Sequence, residues 1–430
     1  MNFRQQLIAN LDRHPAYQEH KATACPVSDS PVRLIAFYLP QYHPIPQNDL
    51  SWGKGFTEWT NVTKAIPRFV GHYQPHLPGE LGFYDLRLTD VLHRQSELAK
   101  HYGVGGFCFH YYWFNGHQVL ETPLANLLAD PSIDLPFCIN WANENWTRAW
   151  DGHAEDVLLQ QTHSDQDDIA FARALEPIIR DPRYIRIGGR PLIMLYRPSL
   201  LPDAAATLLR WRAHFTTAGL GDPFFVMAQC FGDHDPRRYG FDAAAEFPPH
   251  KVGWTAPNLA SDARPFAHDY DGKIRSYDTM ARNAMQAEAG DFTLFRGVCP
   301  SWDNEARKPN RGQSFINSTP AKYGEWLSWA CRQVMRSNLP DERIVFINAW
   351  NEWAEGAHLE PDRHFGYAYL QETVKALENI HGTNVETIKS IIGNGDTNLS
   401  KDQTNILAKF KAFCFPVKKF LMEKITKSRS

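Results

Sequence analysis

Eight short apolar runs, alternating with amphipathic stretches, organise residues 32–379. The runs fall at 32–39, 105–112, 135–141, 191–196, 224–229, 243–247, 294–299 and 343–347. Several are apolar without interruption, which is the pattern of strands covered on both faces. Between them, 86–101 sets Leu88, Val91, Leu92 and Leu98 at helical spacing. Further helical patterns lie at 122–128, 167–180, 203–218, 270–289, 320–337 and 365–378. Strands alternating with helices predict an α/β fold, a (β/α)8 TIM barrel with enlarged βα loops. A doubly wound open sheet is the alternative, because periodicity does not say whether the sheet closes.

The flanks read differently. Residues 1–31 form a polar N-terminal arm with no apolar core of signal-peptide length. Residues 380–430 read as a linker and a basic amphipathic C-terminal tail. Within that tail, 401–430 carries eight Lys/Arg against two acids, interleaved with Phe410, Phe413, Phe415 and Phe420. Such a stretch can lie peripherally on an anionic membrane surface or pack on the barrel with a solvated basic face. No run approaches the length of a transmembrane helix, so the expected address is cytoplasmic, with peripheral contact at the inner face of the membrane. A net charge of −3 gives no reason to expect a nucleic-acid partner. The seven Cys include no C-x-x-C pair, and Cys108, Cys138, Cys230 and Cys299 sit in apolar runs as small buried hydrophobes.

In a barrel of this kind the reactive groups gather where the strands end. Polar and aromatic residues cluster there: Tyr38, Gln41 and His43 after the first run; His110, Tyr111 and Tyr112 in the second; Asn140, Trp141, Asn143 and Glu144 after the third. Arg197 follows the fourth and Trp302 the seventh. The long loop between Pro44 and Asp85, which contains Trp59, reads as an ordered wall of the cleft.

The eighth run leads into Asn348-Ala-Trp-Asn-Glu-Trp-Ala-Glu-Gly356. Glu352 and Glu355 stand three apart beside Trp350 and Trp353, with Asn348 and Asn351 at the same spot. An indole desolvates a neighbouring carboxyl and raises its pKa. Two acids in an aromatic-walled pocket are the usual equipment for glycosidic chemistry. A pair of acids at a helix start could also serve as caps. The asparagines, His110, Tyr111 and Glu144 suit hydroxyl recognition, and Trp141, Trp302 and Trp350 suit stacking on sugar faces. Glu144 could instead pair with Arg148. No metal or cofactor motif is present, and no metal or cofactor is expected.

Five segments together resemble the WbsX-type, glycoside hydrolase family 99-like proteins associated with polysaccharide biosynthesis. They are Ala36-Phe-Tyr-Leu-Pro-Gln-Tyr-His43, Gly55-Phe-Thr-Glu-Trp-Thr-Asn-Val62, Phe109-His-Tyr-Tyr-Trp-Phe114, Asn140-Trp-Ala-Asn-Glu-Asn-Trp146 and the Glu352 segment itself. The resemblance implies a retaining, endo-acting enzyme on a (β/α)8 barrel. It implies that Glu352 deprotonates a sugar 2-hydroxyl, which closes a 1,2-anhydro intermediate. Glu355 would then protonate the leaving oxygen and later activate water. Ala354 stands where family 99 proper has His, so mannose specificity is not carried over. The implied partner is an oligo- or polysaccharide, with hydrolysis of a bacterial surface glycan or its precursor as the first reading. Glycosyl transfer in O-antigen (lipopolysaccharide) or capsule synthesis is the second, and an inactive glycan-binding module the third.

Overall fold

The computed structural model describes residues 1–22, 30–148, 153–337 and 339–393. Its central element is a ring of eight parallel strands: β1 (Arg33–Tyr38), β2 (Val104–Phe114), β3 (Phe137–Trp141), β4 (Arg190–Leu195), β5 (Phe224–Gln229), β6 (Ala243–Glu246), β7 (Thr293–Val298) and β8 (Ile344–Ile347). Each pairs with the next. β8 pairs in parallel with β1, Ala36 opposite Ile347, so the ring is complete and the open-sheet alternative does not hold. Every expected strand is present. The uninterrupted apolar runs have their physical cause here: side chains on one face of the sheet fill the barrel and those on the other meet the helices. Leu34, Phe37, Val345 and Phe346 are all fully buried.

Helices follow seven of the eight strands: Thr89–His101, Thr122–Ala129, Asp165–Arg180, Ala204–Thr217, Tyr277–Gln286, Pro320–Val334 and Ala368–Gly393. Only the β5–β6 connection lacks an α-helix among the described residues; a single 3-10 turn, Pro236–Tyr239, stands there. The long β1 loop is ordered by two short helices, Pro46–Trp52 and Glu58–Lys64. Trp59 anchors it, packing on Tyr42 and Trp353 and donating from Nε1 to Tyr84 O at 2.8 Å.

The N-terminal arm is docked on that same loop. Its helix, Phe3–Leu11, starts at an Asn2 cap. Asn10 Nδ2 donates to His72 O at 2.7 Å and to Gln74 O at 2.9 Å, and Gln6 Oε1 accepts from Gly71 N at 2.7 Å. Met1–Glu378 is one compact unit. The basic stretch 401–430 lies outside the described residues. No described helix is long and apolar enough to cross a membrane. Cys108, Cys138, Cys230, Cys299 and Cys331 are free and buried.

Candidate active site

Both acids of the eighth segment sit on one small hairpin. After β8 the chain forms a two-residue strand, Asn351–Glu352, a 3-10 turn, Trp353–Glu355, and a return strand, Ala357–His358. Gly356 makes the reversal at φ +60°, a conformation that favours glycine. A 3-10 turn has three residues per turn, so side chains three apart eclipse each other. Glu352 and Glu355 therefore reach toward the same side.

The hairpin is held from beneath. Tyr42 Oη donates to Asn351 O at 2.6 Å and accepts from Trp353 N at 3.1 Å. Asn351 clamps the end of β1, its Oδ1 accepting from Leu39 N at 2.7 Å and its Nδ2 donating to Leu39 O at 3.0 Å. Glu360 is buried below and accepts from Trp353 Nε1, Gln95 Nε2 and Tyr84 Oη at 2.6, 2.6 and 2.9 Å. From the side, the β7 loop is tied in by Asp303 N, which donates to Glu355 O at 2.6 Å, and by Ser301 Oγ, which donates to Gly356 O.

One guanidinium spans the two carboxyls. Arg307 donates from Nη2 to Glu352 Oε2 at 2.9 Å and from Nη1 to Glu355 Oε1 at 2.8 Å. Its Nε reaches a third acid, Glu58, at 3.3 Å. Glu58 opens the Glu58–Lys64 helix, where its N–H donates to Gln41 O at 3.1 Å. Trp302 Nε1 donates to Glu355 Oε2 at 3.2 Å. His110 Nδ1 accepts from Asn140 Nδ2 at 3.3 Å, which puts the ring hydrogen on Nε2, 3.9 Å from Glu352 Oε1.

Burial sets the protonation of this cluster. It pushes Glu352 up to about 8; Arg307 works against that rise, while Glu355 and Glu58 add to it. Burial also raises Glu58. His110 falls to about 4 through burial and the nearby Arg307, so it is neutral at pH 7. Burial opposes the charge of Arg307, but Glu58, Glu352 and Glu355 together hold it well above its ordinary value. At neutral pH the site thus contains a cation, a proton-bearing Glu352 and a hydrogen-bonded Glu355. It sets a proton-bearing carboxyl and a second carboxyl on one guanidinium at the barrel mouth.

An aromatic wall continues from Trp302. Trp254 meets it edge to face at 5.1 Å and donates from Nε1 to His250 Nδ1 at 3.3 Å. His250 Nε2 is 3.1 Å from Tyr196 Oη. Trp254 is half-buried, as a platform for a sugar face requires.

Of the residues singled out from sequence, Glu352, Glu355, His110, Tyr112, Asn140 and Trp302 come together. Burial raises the Tyr112 hydroxyl, with Glu352 adding to the rise. Others hold backbone: Asn351 as above, Asn348 by donating to Pro248 O at 2.7 Å, Gln41 through its carbonyl, and Asn143 through Arg197. The stacking role expected of Trp141 and Trp350 is corrected by their placement. Trp141 is buried between Phe171 and Trp211 of the surrounding helices, and Trp350 is buried against Phe107. Tyr111 likewise packs on Phe171, and Tyr38 donates to Gln95 Oε1 at 2.8 Å on the helix side. Trp59 is a core residue of the β1 loop. His43 is buried with Asp85 and Glu121 as its acidic neighbours, away from the pair. Glu144 pairs with Arg197 at 2.6 Å on the rim.

Three residues of the cluster were not foreseen: Arg307, Glu58 and Tyr42. Glu58 and Tyr42 lie inside segments recognised as distinctive. For Arg307 the available signal is physical, since several buried acids call for a cation. Trp254 and His250 follow β6 as the other polar-aromatic groups follow their strands.

The barrel is similar in fold to solved structures of other proteins. A protein described as "Glycoside hydrolase-like protein" superposes with a TM-score of 0.52 at 13% identity, covering 84% of this chain and 98% of that one. The GH99 endo-alpha-mannosidase from Bacteroides thetaiotaomicron gives 0.50 at 14%, covering 82% and 98%. At such identities the likeness is one of fold. Residues 34–373 match the family described as "Glycosyltransferase WbsX", and the chain belongs to that family. Two curated relatives, both "Uncharacterized protein WxcX" of Xanthomonas campestris pv. campestris, are 48% identical over 364 residues (strain B100) and over 347 residues (strain ATCC 33913). These matches cover 85% and 81% of this chain but 52% and 50% of the relatives, so the chain spans about half their length.

Proposed function

We propose that this protein breaks glycosidic bonds of a bacterial surface polysaccharide or its precursor, with retention of anomeric configuration. The observation that carries this reading is the single Arg307 guanidinium bound to both Glu352 and Glu355, which fixes two carboxyls at one point of the barrel mouth. In the first step, from the form of the pair that carries its proton on Glu355, Glu352 takes the proton of the sugar 2-hydroxyl. The 2-oxygen bonds to the anomeric carbon, the bond to the leaving oxygen breaks, and Glu355 protonates that oxygen. In the second step Glu355 deprotonates water, which attacks the anomeric carbon and opens the anhydro ring, and Glu352 returns its proton to the 2-oxygen. Neutral His110 faces Glu352, and half-buried Trp254, backed by Trp302, offers the stacking surface.

A specific observation supports a second assignment. Glu352, at about 8, holds the proton in the resting site. With the roles exchanged, Glu352 is the acid and Glu355 the base. Aryl glycosides with a good leaving group separate the two, because their departure needs little protonation. The variant lacking the acid keeps activity on such substrates, and the variant lacking the base does not. The family's description favours a further outcome, in which a sugar hydroxyl replaces water at the intermediate and the result is transfer.

The test is incubation of the protein with glycans and lipid-linked oligosaccharides from its own source, followed by proton NMR at early times. New reducing ends of retained configuration are expected. Inverted ends would refute the two-step scheme. Product that forms only when acceptor glycan is added would reassign the chemistry to transfer.

A further inference from the structure

A second cavity, of about 420 Å³, is bounded by the Phe3–Leu11 helix and the loops after β1, β7 and β8. Trp302 lines it, so it adjoins the acid hairpin without containing the acids. Five histidines face it: His14, His72, His76, His358 and His364. We propose that His76, His358 and Asp362 bind a divalent transition-metal ion of the zinc class in this cavity.

Tautomers and distances carry the assignment. His358 Nδ1 lies 3.1 Å from Glu360 O. A carbonyl only accepts, so the hydrogen is on Nδ1 and Nε2 presents a lone pair. That lone pair meets His76 Nδ1 at 3.0 Å. Asp362 Oδ2 is 3.9 Å from the same His358 nitrogen, and the three ligand atoms lie within 4.8 Å of one another. Zinc binds imidazole nitrogen at about 2.0–2.1 Å and carboxylate oxygen at about 2.0–2.2 Å. Two nitrogens 3.0 Å apart therefore reach one ion at close to a right angle, and Asp362 completes a three-point site with a small approach. Two imidazoles and a carboxylate are a donor set that suits zinc and its neighbours in the first transition row.

The supporting shell is in place. The Glu360 carbonyl orients His358, as partners of metal-binding histidines do. Phe365 N donates to Asp362 Oδ1 at 2.5 Å, and Tyr73 Oη donates to Oδ2 at 3.3 Å. His72 provides the contrast. Its Nδ1 accepts from Arg68 N at 3.0 Å and its Nε2 meets Asp303 Oδ2 at 2.5 Å, so both ring nitrogens are already engaged. A hydrogen bond from His76 to His358 would also satisfy that pair, but it makes no use of Asp362 or of the adjoining cavity. All three ligands are themselves buried, and the cavity supplies the route in and the remaining coordination positions.

The ion would fasten the β1 loop to the acid hairpin. The His358 ring stacks on Trp353 at 3.8 Å, between Glu352 and Glu355 in sequence. The His76 ring lies so close to Gly356 that an added Cβ there would be 3.2 Å from it.

The test uses the untagged full chain, stripped by chelator and titrated with Zn²⁺ or Co²⁺. The expected result is one ion per chain, a rise in Tm with Zn²⁺, visible absorption bands with Co²⁺, and paramagnetic NMR shifts on two histidine rings. His76→Gln and His358→Gln should each lose the ion, whereas His72→Gln should keep it. Absence of uptake by the wild-type chain would overturn the site, as would one-to-one binding that survives in both ligand variants. If the ligand variants fail to fold, the Co²⁺ spectra of the wild-type chain still decide, because a site elsewhere would leave these two rings unshifted.

Discussion

Two strand ends of the barrel carry the same pattern, Asn-x-x-Asn-Glu: 140–144 after β3 and 348–352 after β8. In each, the second asparagine clamps the end of the neighbouring strand through both of its amide atoms. Asn143 holds Arg197 N and O at 2.8 Å each, and Asn351 holds Leu39 N and O at 2.7 and 3.0 Å. From this shared clamp the following glutamates enter different surroundings. The Glu352 side chain is 8% exposed and meets Arg307; that of Glu144 is 39% exposed and meets Arg197. Arg197 in turn lies over the exposed ring of Phe231. The motif therefore fixes the backbone, and the loop arriving from elsewhere fixes the chemistry. The β7 loop covers Glu352 with a buried cation, Arg307.

The largest expected effect separates the two glutamates directly. Glu352→Gln and Glu355→Gln should each lower turnover by about 10²–10⁴-fold on unactivated glycans, the usual contribution of a general acid or base. Glu144→Gln should change it by no more than about fivefold, the scale of an exposed ion pair. Turnover numbers from reducing-end release check this, and comparable losses in all three variants would erase the distinction.

A pH series sharpens the same contrast on stability. Burial raises Glu352 from 4.5 to about 8, so the folded protein holds that proton more tightly than the unfolded chain. The resulting stabilisation is complete below the unfolded value and disappears as pH rises from 4.5 toward about 8. Burial raises Glu360 to about 7, and it acts in the same direction. Thermal melts of the wild type should therefore fall between pH 5 and pH 8. Glu352→Gln, which cannot ionise, should show a shallower fall, retaining several degrees of Tm at pH 8 relative to its own value at pH 5. Parallel slopes would mean that Glu352 is not the proton holder.

The barrel was legible because several of its strands are apolar without a break, and all eight lie where the runs place them. Closure was not legible, since pairing of β8 with β1 joins residues more than 300 positions apart. The acid pair stood out as polar residues at the end of an apolar run. Which neighbours share its pocket follows a rule that was available, the alternation of side chains along a strand. His110 and Tyr112 face the acids, and Tyr111 between them faces Phe171. Asn140 meets His110, and Trp141 next to it turns to the helices. Reading each cluster as a whole put both faces in one pocket. Arg307 was beyond such a rule, because its three acids come from loops 45 to 249 positions away in sequence.

The smallest effect tests the clamps themselves. Asn143→Ala and Asn351→Ala each strip a partner from one backbone N–H and one backbone C=O, part-buried at Arg197 and buried at Leu39. Leaving such groups unpaired costs about 1–3 kcal/mol, so denaturant melts should show losses in that range for both, the larger at Asn351, whose clamp is buried and whose Nδ2 also donates to Tyr84 Oη at 3.3 Å. Activity should diverge. Beneath Asn351 the chain leads at once into Glu352, and Leu39 lies two residues from Gln41, whose carbonyl seats Glu58. Loosening that clamp disturbs two of the three acids on Arg307. Asn143 leads only to the rim pair, so its loss should leave turnover near that of the wild type once the folded fraction is matched. Stability losses of the same order with divergent turnover would mean that one backbone device serves structure at β3 and positions the reacting groups at β8. Equal turnover would mean that Arg307 alone is enough to hold the acids in place.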